Sequence, residues 1–417
     1  MITFLILAAF VLGLLAVTRL SRVYELTAEL RGKREEEISD RETKMNARLL
    51  WAFPFVYFSS FLWLTLHYAK AMLPVSASEH GVWLDDLMNF NWVLLIVAFF
   101  ITNVLLFYFT GKYYHQADRR AYYYPHNNKW ELVWTVVPAV VLMSIIIYGL
   151  TVWNRITGPA APGTPEVELY AQQFKWMARY PGPDGRLGPT DFRLINATNE
   201  LGIVTPTSIS ARLTELADET AAAQKRLAAE QDQLPDEKVQ ELKDRIKHLE
   251  RMSGKIINLR TLMNNDIKEK GAESPYKHGS DDLVLKEFHL PVNEDVRLVI
   301  RSKDVIHSAF IPHMRMQMNA VPGMSTVFRM KPTITTDSMR MHILKNEAFD
   351  YVLLCNKICG ASHYNMQMPL VVEPTSDYNA WLAQQKGFEM ASTPAAPVEA
   401  TTTTAVLEAA TTAPNTH

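Results

Sequence analysis

The stretch Cys355-Asn356-Lys357-Ile358-Cys359-Gly360-Ala361-Ser362-His363-Tyr364-Asn365-Met366 places two thiols, one imidazole and one thioether close together in the chain. It follows the strand-like run Phe349 to Leu354, so it reads as a loop at a strand end. A second histidine, His307, stands upstream in Asp304-Val305-Ile306-His307-Ser308, again at a strand end.

Thiolate, thioether and imidazole together favour copper over hard cations. A blue-copper site needs only one cysteine. Two cysteines four residues apart let both sulfurs bridge two metals. His307, His363 and Met366 then supply further ligands, and a backbone carbonyl of the loop completes the set. Bridging thiolates spread charge over both metals, so geometry changes little between redox states, which suits one-electron transfer. Two other uses compete. A disulfide between Cys355 and Cys359 would leave the histidine and methionine offsets unexplained, and zinc has no use for Met366. His313, Met314, Met316, Met318 and Met368 read as packing or surface residues.

Outward from the motif lie short runs rich in β-branched and aromatic residues: VELYAQQF from Val167, LVLKEFHL, VRLVIRS, STVFRM, YVLL and LVVEP. Glycine, proline and aspartate punctuate them, which predicts a β-sandwich or barrel over residues 167–207 and 267–378. Residues 208–266 interrupt it with helical periodicity. Leu213, Leu216, Ala223, Leu227 and Leu234 recur at three- and four-residue steps, and after Pro235 come Val239, Leu242, Ile246 and Leu249. This predicts an antiparallel helical hairpin, either a solvated spacer or a docking surface for another subunit. The Ala/Thr/Pro-rich tail over 391–417 cannot bury a core and reads as disordered.

Toward the N-terminus, apolar stretches at about 1–20, 49–73, 92–111 and 132–153 are of membrane-crossing length or nearly so. Trp92, Trp130, Trp134 and Trp153 sit at span ends. The loop after the first span carries Arg19, Arg22, Arg31, Lys33, Arg34, Arg41, Lys44 and Arg48. The loop over 74–91 carries no lysine or arginine, and the next carries Lys112, Arg119, Arg120 and Lys129. The positive-inside rule therefore puts both ends, and everything after Trp153, outside the cytoplasm. The N-terminus lacks the positive charges of a signal peptide, so the first span reads as retained.

The whole 417-residue chain is 48% apolar with a mean hydropathy of −0.06, as expected for apolar spans joined to water-facing parts. A formal net charge of −2 gives no nucleic-acid footprint. Cys355 and Cys359 are the only cysteines, which excludes a disulfide-stapled scaffold and a covalent c-type haem.

The residues ELVWTVVPAVVL in the fourth span, LPVNEDVRLVIRSKDVIHSAFIPH, NAVPGM and CNKICGASHYNM resemble subunit II of the haem-copper oxidases, over somewhat under half the chain. The resemblance implies a membrane-anchored all-β protein: transmembrane helices, then a cupredoxin-like Greek-key β-barrel holding a binuclear copper centre, CuA. It implies Cys355 and Cys359 as bridging thiolates. It gives His307 and Met366 to one copper, and His363 and the Lys357 carbonyl to the other. It implies electrons taken from cytochrome c, or a cytochrome c-containing donor complex, and passed to the haem of oxidase subunit I. Oxygen is reduced there, with other oxidase subunits alongside and proton pumping mainly in subunit I. The setting implied is the bacterial inner membrane with the copper domain periplasmic. Glu131 matches a carboxylate at the mouth of a proton pathway.

Several positions depart from the family. Lys357 stands where a glutamate is usual, so its side chain cannot help hold a magnesium ion at the subunit interface. In Ala171-Gln172-Gln173-Phe174-Lys175-Trp176, Trp176 is retained, but Phe174 stands where a tryptophan receives electrons. Gln317, Asn319 and Met324 replace residues that are often charged, and the first two spans and the hairpin are extra. These departures suggest a non-standard donor or a fixed supercomplex. Other readings are a quinol oxidase subunit, which lacks the copper ligands; a CuA-bearing subunit of another oxidoreductase such as a nitric oxide reductase; and a copper chaperone, which would hold a single exchangeable ion.

Overall fold

The computed structural model describes residues 2–30, 32, 39–116 and 118–389. The tail at 391–417 and the cations Arg31, Lys33 and Arg34 lie outside them. Two compact units emerge: Met1–Pro74 with Asp85–Ile147, and Val75–Leu84 with Tyr148–His417.

The helices are α1 (Ile2–Leu30), α2 (Asp40–Met72), α3 (Glu79–Lys112) and α4 (Asn128–Thr157). Among the described residues, Asp40–Ala69, Glu79–Lys112 and Asn128–Thr157 are long and apolar enough to cross a membrane. The span expected at 1–20 falls in α1, which is not among these three and continues through Arg19, Arg22 and Glu25. All four helices outrun the apolar stretches within them, because backbone hydrogen bonding continues past the last apolar residue wherever a cap allows. At α2 that cap is Ser39, whose hydroxyl accepts from the Glu42 N–H at 3.3 Å while the Glu42 carboxylate accepts from the Ser39 N–H at 3.1 Å.

In the first unit α2 and α3 pack antiparallel through aromatic rings. Trp51 meets Tyr108, Phe53 meets Phe107 and Phe61 meets Phe99, at 5.6, 5.4 and 4.8 Å between centroids. A Cβ at Gly111 would lie 2.6 Å from the Trp51 indole nitrogen, so glycine there makes room for the ring.

The second unit is a sandwich of two five-stranded sheets, in the orders β3-β2-β1-β5-β8 and β4-β10-β9-β6-β7. The strands are β1 (Glu166–Gln172), β2 (Lys175–Tyr180), β3 (Leu283–Leu285), β4 (Phe288–Pro291), β5 (Val296–Ser302), β6 (His307–Ile311), β7 (Met316–Ala320), β8 (Thr326–Met330), β9 (Tyr351–Cys355) and β10 (Gln367–Glu373). The pairs β1–β5 and β4–β10 are parallel and the rest antiparallel. Alternation sends Val296, Leu298 and Ile300 of β5, Tyr351 and Leu353 of β9, and Met368, Leu370 and Val372 of β10 into one core.

Three strands lie where no strand is legible in the sequence: KWMARY, HSAFI and MQMNA. Arg179 of β2 is fully buried. It survives there because Glu168 lies at 2.8 Å, Asp282 accepts from its Nε at 3.1 Å and the Gly188 carbonyl accepts at 2.6 Å.

The insert is a hairpin of α5 (Pro206–Glu230) and α6 (Asp236–Lys270), close to the expected 208–266. Thr205 caps α5, and Ile209 and Leu216 of α5 meet Leu249, Ile256 and Met263 of α6 in a small core of their own. The sandwich continues past the expected limit at 378. A helix over Thr375–Ala383 leads to Phe388, which is buried against Tyr170, Met177, Leu201 and Ile203.

Candidate metal centre

His307 and Cys355 arrive at one place because each ends an inward-facing row. On β6 the row is Ile311, Ala309, His307; on β9 it is Tyr351, Leu353, Cys355. Ala309 pairs directly with Cys355, so His307 stands one inward step beyond its neighbour's cysteine. The loop after β9 is anchored at both ends. The Cys355 N–H donates to the Met366 carbonyl at 3.0 Å, and the Asn356 N–H to the Ser308 carbonyl at 3.0 Å.

The loop brings the donor atoms together. The Cys355 sulfur lies 3.8 Å from His307 Nδ1, 3.1 Å from the Lys357 carbonyl oxygen and 3.9 Å from the Cys359 sulfur. The Cys359 sulfur lies 3.6 Å from His363 Nδ1 and 3.8 Å from the Met366 sulfur. His307, Cys355 and Cys359 form the one metal-ligand cluster found among the described His, Cys, Asp and Glu residues. Both cysteines are free, and a sulfur separation of 3.9 Å is nearly twice a disulfide bond of about 2.05 Å. Burial, then the neighbouring Cys355, pushes the Cys359 thiol up to about 11, so a metal must displace protons to bind.

Residues unassigned by the motif hold this cluster in place. Asp304 accepts from His307 Nε2 at 2.8 Å, which turns Nδ1 toward Cys355. Burial alone would raise the Asp304 carboxyl, but the Gln173 N–H at 2.7 Å, His307 and the Val305 N–H outweigh it and hold it below its ordinary range. The Gln173 side chain donates to the Cys359 carbonyl. Gly360 has φ +141°, and a Cβ there would lie 2.8 Å from the Gln173 amide and 2.9 Å from the Phe174 ring. The spacing Asp-x-x-His was the available signal for Asp304; nothing in the sequence marks Gln173 or Gly360.

The other expected residues fall as follows. Phe174 covers the loop at Gly360. Trp176 is buried, its ring edge-on to His307 at 6.2 Å between centroids. Lys357 turns only its carbonyl to the cluster and is otherwise exposed. Glu131, half-exposed in the first turn of α4, accepts from the Asn127 N–H at 3.1 Å, a helix-start contact within the first unit. Met314, Met316 and Met368 are buried in the core, and His313 packs against Phe349 and Tyr351.

Sequence comparison is consistent with this geometry. The profile for the transmembrane domain of cytochrome c oxidase subunit II matches residues 66–152, and that for its periplasmic domain matches residues 280–375. The alternative cytochrome c oxidase subunit 2 of Bradyrhizobium diazoefficiens is 30% identical over 310 residues, covering 73% of this chain and 81% of that one. The chain belongs to the cytochrome c oxidase subunit II family. Cytochrome c oxidase subunit 2 of Thermostichus vulcanus is 22% identical over 79% of this chain and 82% of its own. That of Cereibacter sphaeroides is 23% identical over 78% and 82%. Membership makes the chain a copper-binding subunit of a terminal oxidase, with membrane helices and a cupredoxin-like periplasmic domain. The hairpin lies between the two matched stretches of subunit II. Two thiolates, two imidazole Nδ1 atoms, a thioether and a carbonyl are donors that fit copper and fit hard cations poorly.

Proposed function

We propose that the chain is the electron-accepting subunit of its oxidase. In this reading it takes electrons from cytochrome c, or from a cytochrome c-containing donor complex, at a binuclear CuA centre. It passes them to the haem of subunit I, where oxygen becomes water with proton translocation. The observation that carries the reading is the pair of buried cysteine sulfurs 3.9 Å apart, each with its own imidazole Nδ1 within 4 Å. Cys355 and Cys359 would supply thiolates to both coppers, His307 and Met366 would serve one, and His363 with the Lys357 carbonyl would serve the other. When bound, the copper pair supplies a one-electron acceptor of small reorganisation. The chain's own part is to hold the donor atoms fixed, through the β6–β9 pairing, Asp304 and Gln173, and to keep water from them. Phe174 and Trp176 are proposed as the electron-entry residues, supported by the contact of Phe174 with Gly360 and of Trp176 with His307. Glu131 is proposed at the mouth of a proton path, and magnesium is not assigned. The setting is the bacterial inner membrane, with this domain in the periplasm.

Copper content and electron paramagnetic resonance of the oxidised chain test this. Two coppers sharing one delocalised unpaired electron are expected. One copper with an ordinary mononuclear signal, or none, would sink the reading.

A further inference from the structure

A cleft of about 430 Å³ is lined among others by Tyr170, Phe192, Leu201, Arg301, Lys303 and Met324. Its inner edge is tied to the site. The Lys303 N–H donates to the Ala171 carbonyl at 2.9 Å, and the next residue, Asp304, holds both His307 and the Gln173 N–H. Two large apolar groups stand in water at the rim: Phe192 is 75% exposed and Met324 57%. Phe192 is not slack, because the Asp191 side chain caps its 3₁₀ turn by accepting from the Arg193 N–H at 2.9 Å. Rigid, exposed apolar anchors beside a cleft are what a protein partner buries.

The charges around the cleft are lopsided in availability, though not in number. Each carboxylate is already engaged. Asp191 is gripped by Arg193 through two bonds of 2.9 and 2.8 Å. Glu200 takes Lys175 at 2.5 Å and Gln172 at 2.6 Å. Asp304 is held by His307, Gln173 and Val305. Glu168 is buried between Arg179 and Arg301. Lys303 instead hydrogen-bonds the Gln172 amide oxygen, at 3.2 Å, and acts on Glu200 only through space, and Lys357 is exposed on the metal loop itself. Neither lysine is in an ion pair among the described residues. A partner presenting lysines finds no carboxylate here without a hydrogen-bond partner, whereas one presenting carboxylates finds Lys303 in the cleft and Lys357 exposed on the metal loop.

Resting on the copper-centre reading, we infer that the electron donor is a protein with an acidic docking face and an apolar projection, seated in the cleft between Phe192, Met324 and Lys303. One electron leaves the donor's reduced redox group, which is oxidised by one, and the copper pair that the proposed site would hold is reduced by one. No bond forms or breaks and no proton moves.

The test is stopped-flow electron uptake by the purified oxidase containing this chain, with a small acidic and a small basic c-type cytochrome, across a range of salt. The rate constant with the acidic donor should fall as salt rises, and Lys303→Glu should lower it about tenfold at low salt while raising that of the basic donor. Phe192→Ala should weaken docking of the acidic donor and leave its salt dependence in place. Lys225→Glu, on an exposed position of α5, is the control expected to change neither rate. An acidic donor indifferent to salt and to Lys303→Glu, or a basic donor slowed by salt in the unmodified enzyme, overturns the inference. Copper content and reduction by a small uncharged reagent read the centre separately. Failure there defeats the copper-centre reading; success there with no charge dependence defeats the docking inference alone.

Discussion

The two ends of one sheet use the same kinds of side chain to opposite purposes. At the end where β6 begins and β9 finishes lie His307, Cys355, Cys359, His363 and Met366. At the other end, where β6 finishes and β9 begins, lie His313, Met314, Met316, Phe349 and Tyr351. Both ends hold imidazole and sulfur at least partly out of water. At the first, polar atoms face one another: His307 Nδ1 and the two sulfurs lie within 4.8 Å, and Asp304 fixes the remaining His307 nitrogen. At the second, His313 meets ring edges at 4.9 and 5.5 Å, and the methionines fill space among apolar neighbours. Residue type therefore does not make a ligand. A loop that folds its donors back on one point does, together with a carboxylate that decides which nitrogen faces inward.

The largest expected effect breaks the metal end. Cys355→Ser or Cys359→Ser should abolish the binuclear copper signal, and copper analysis should find fewer than two ions; a variant that keeps both would refute the bridging role. Next is the packing end. Tyr351→Ala should cost about 3–5 kcal/mol of folding stability while copper stoichiometry in the folded fraction stays unchanged. Loss of copper from that fraction would show that the two ends are not separable.

A smaller effect tests the loop itself. Gly360→Ala forces a side chain into φ +141° and against Gln173 and Phe174, a strain of about 1–3 kcal/mol. It should appear as weaker copper retention against a chelator, together with a melting temperature of the metal-free protein lowered by a few degrees. An unchanged chelator titration would mean that the loop relaxes freely.

The smallest concerns His313. Burial first, then Arg315, holds its imidazole below the ordinary range. A histidine depressed in the folded state contributes stability above its unfolded pKa of about 6.5 and loses that contribution as pH falls below it. Melting curves should therefore show the unmodified protein losing more stability from pH 7 toward acid than His313→Phe does. Parallel losses would mean that His313 is not responsible.

Much of this was legible because it is local. Five of the six proposed ligands lie within the one stretch from Cys355 to Met366, and the sixth, His307, ends a recognisable Asp-Val-Ile-His run. The hairpin announced itself through periodicity that needs no tertiary partner. The strands β2, β6 and β7 did not, since Lys-Trp-Met-Ala-Arg-Tyr and Met-Gln-Met-Asn-Ala offer little β-branching, and Arg179 is inside only because Glu168 and Asp282 come from distant sequence. Gln173 and Gly360 escaped for the same reason: their role exists only once β1 and the metal loop touch.

The hairpin leaves and rejoins the sandwich at neighbouring points, for a Cβ on Gly279 would lie 2.9 Å from Ile203 and 3.3 Å from the Val204 carbonyl. Since its ends are already together, the arm works as a branch line and not as part of the main circuit. Its length can drift by whole helical turns without shifting a single strand register. The oxidase can thus reshape what that arm reaches while the copper loop keeps its geometry.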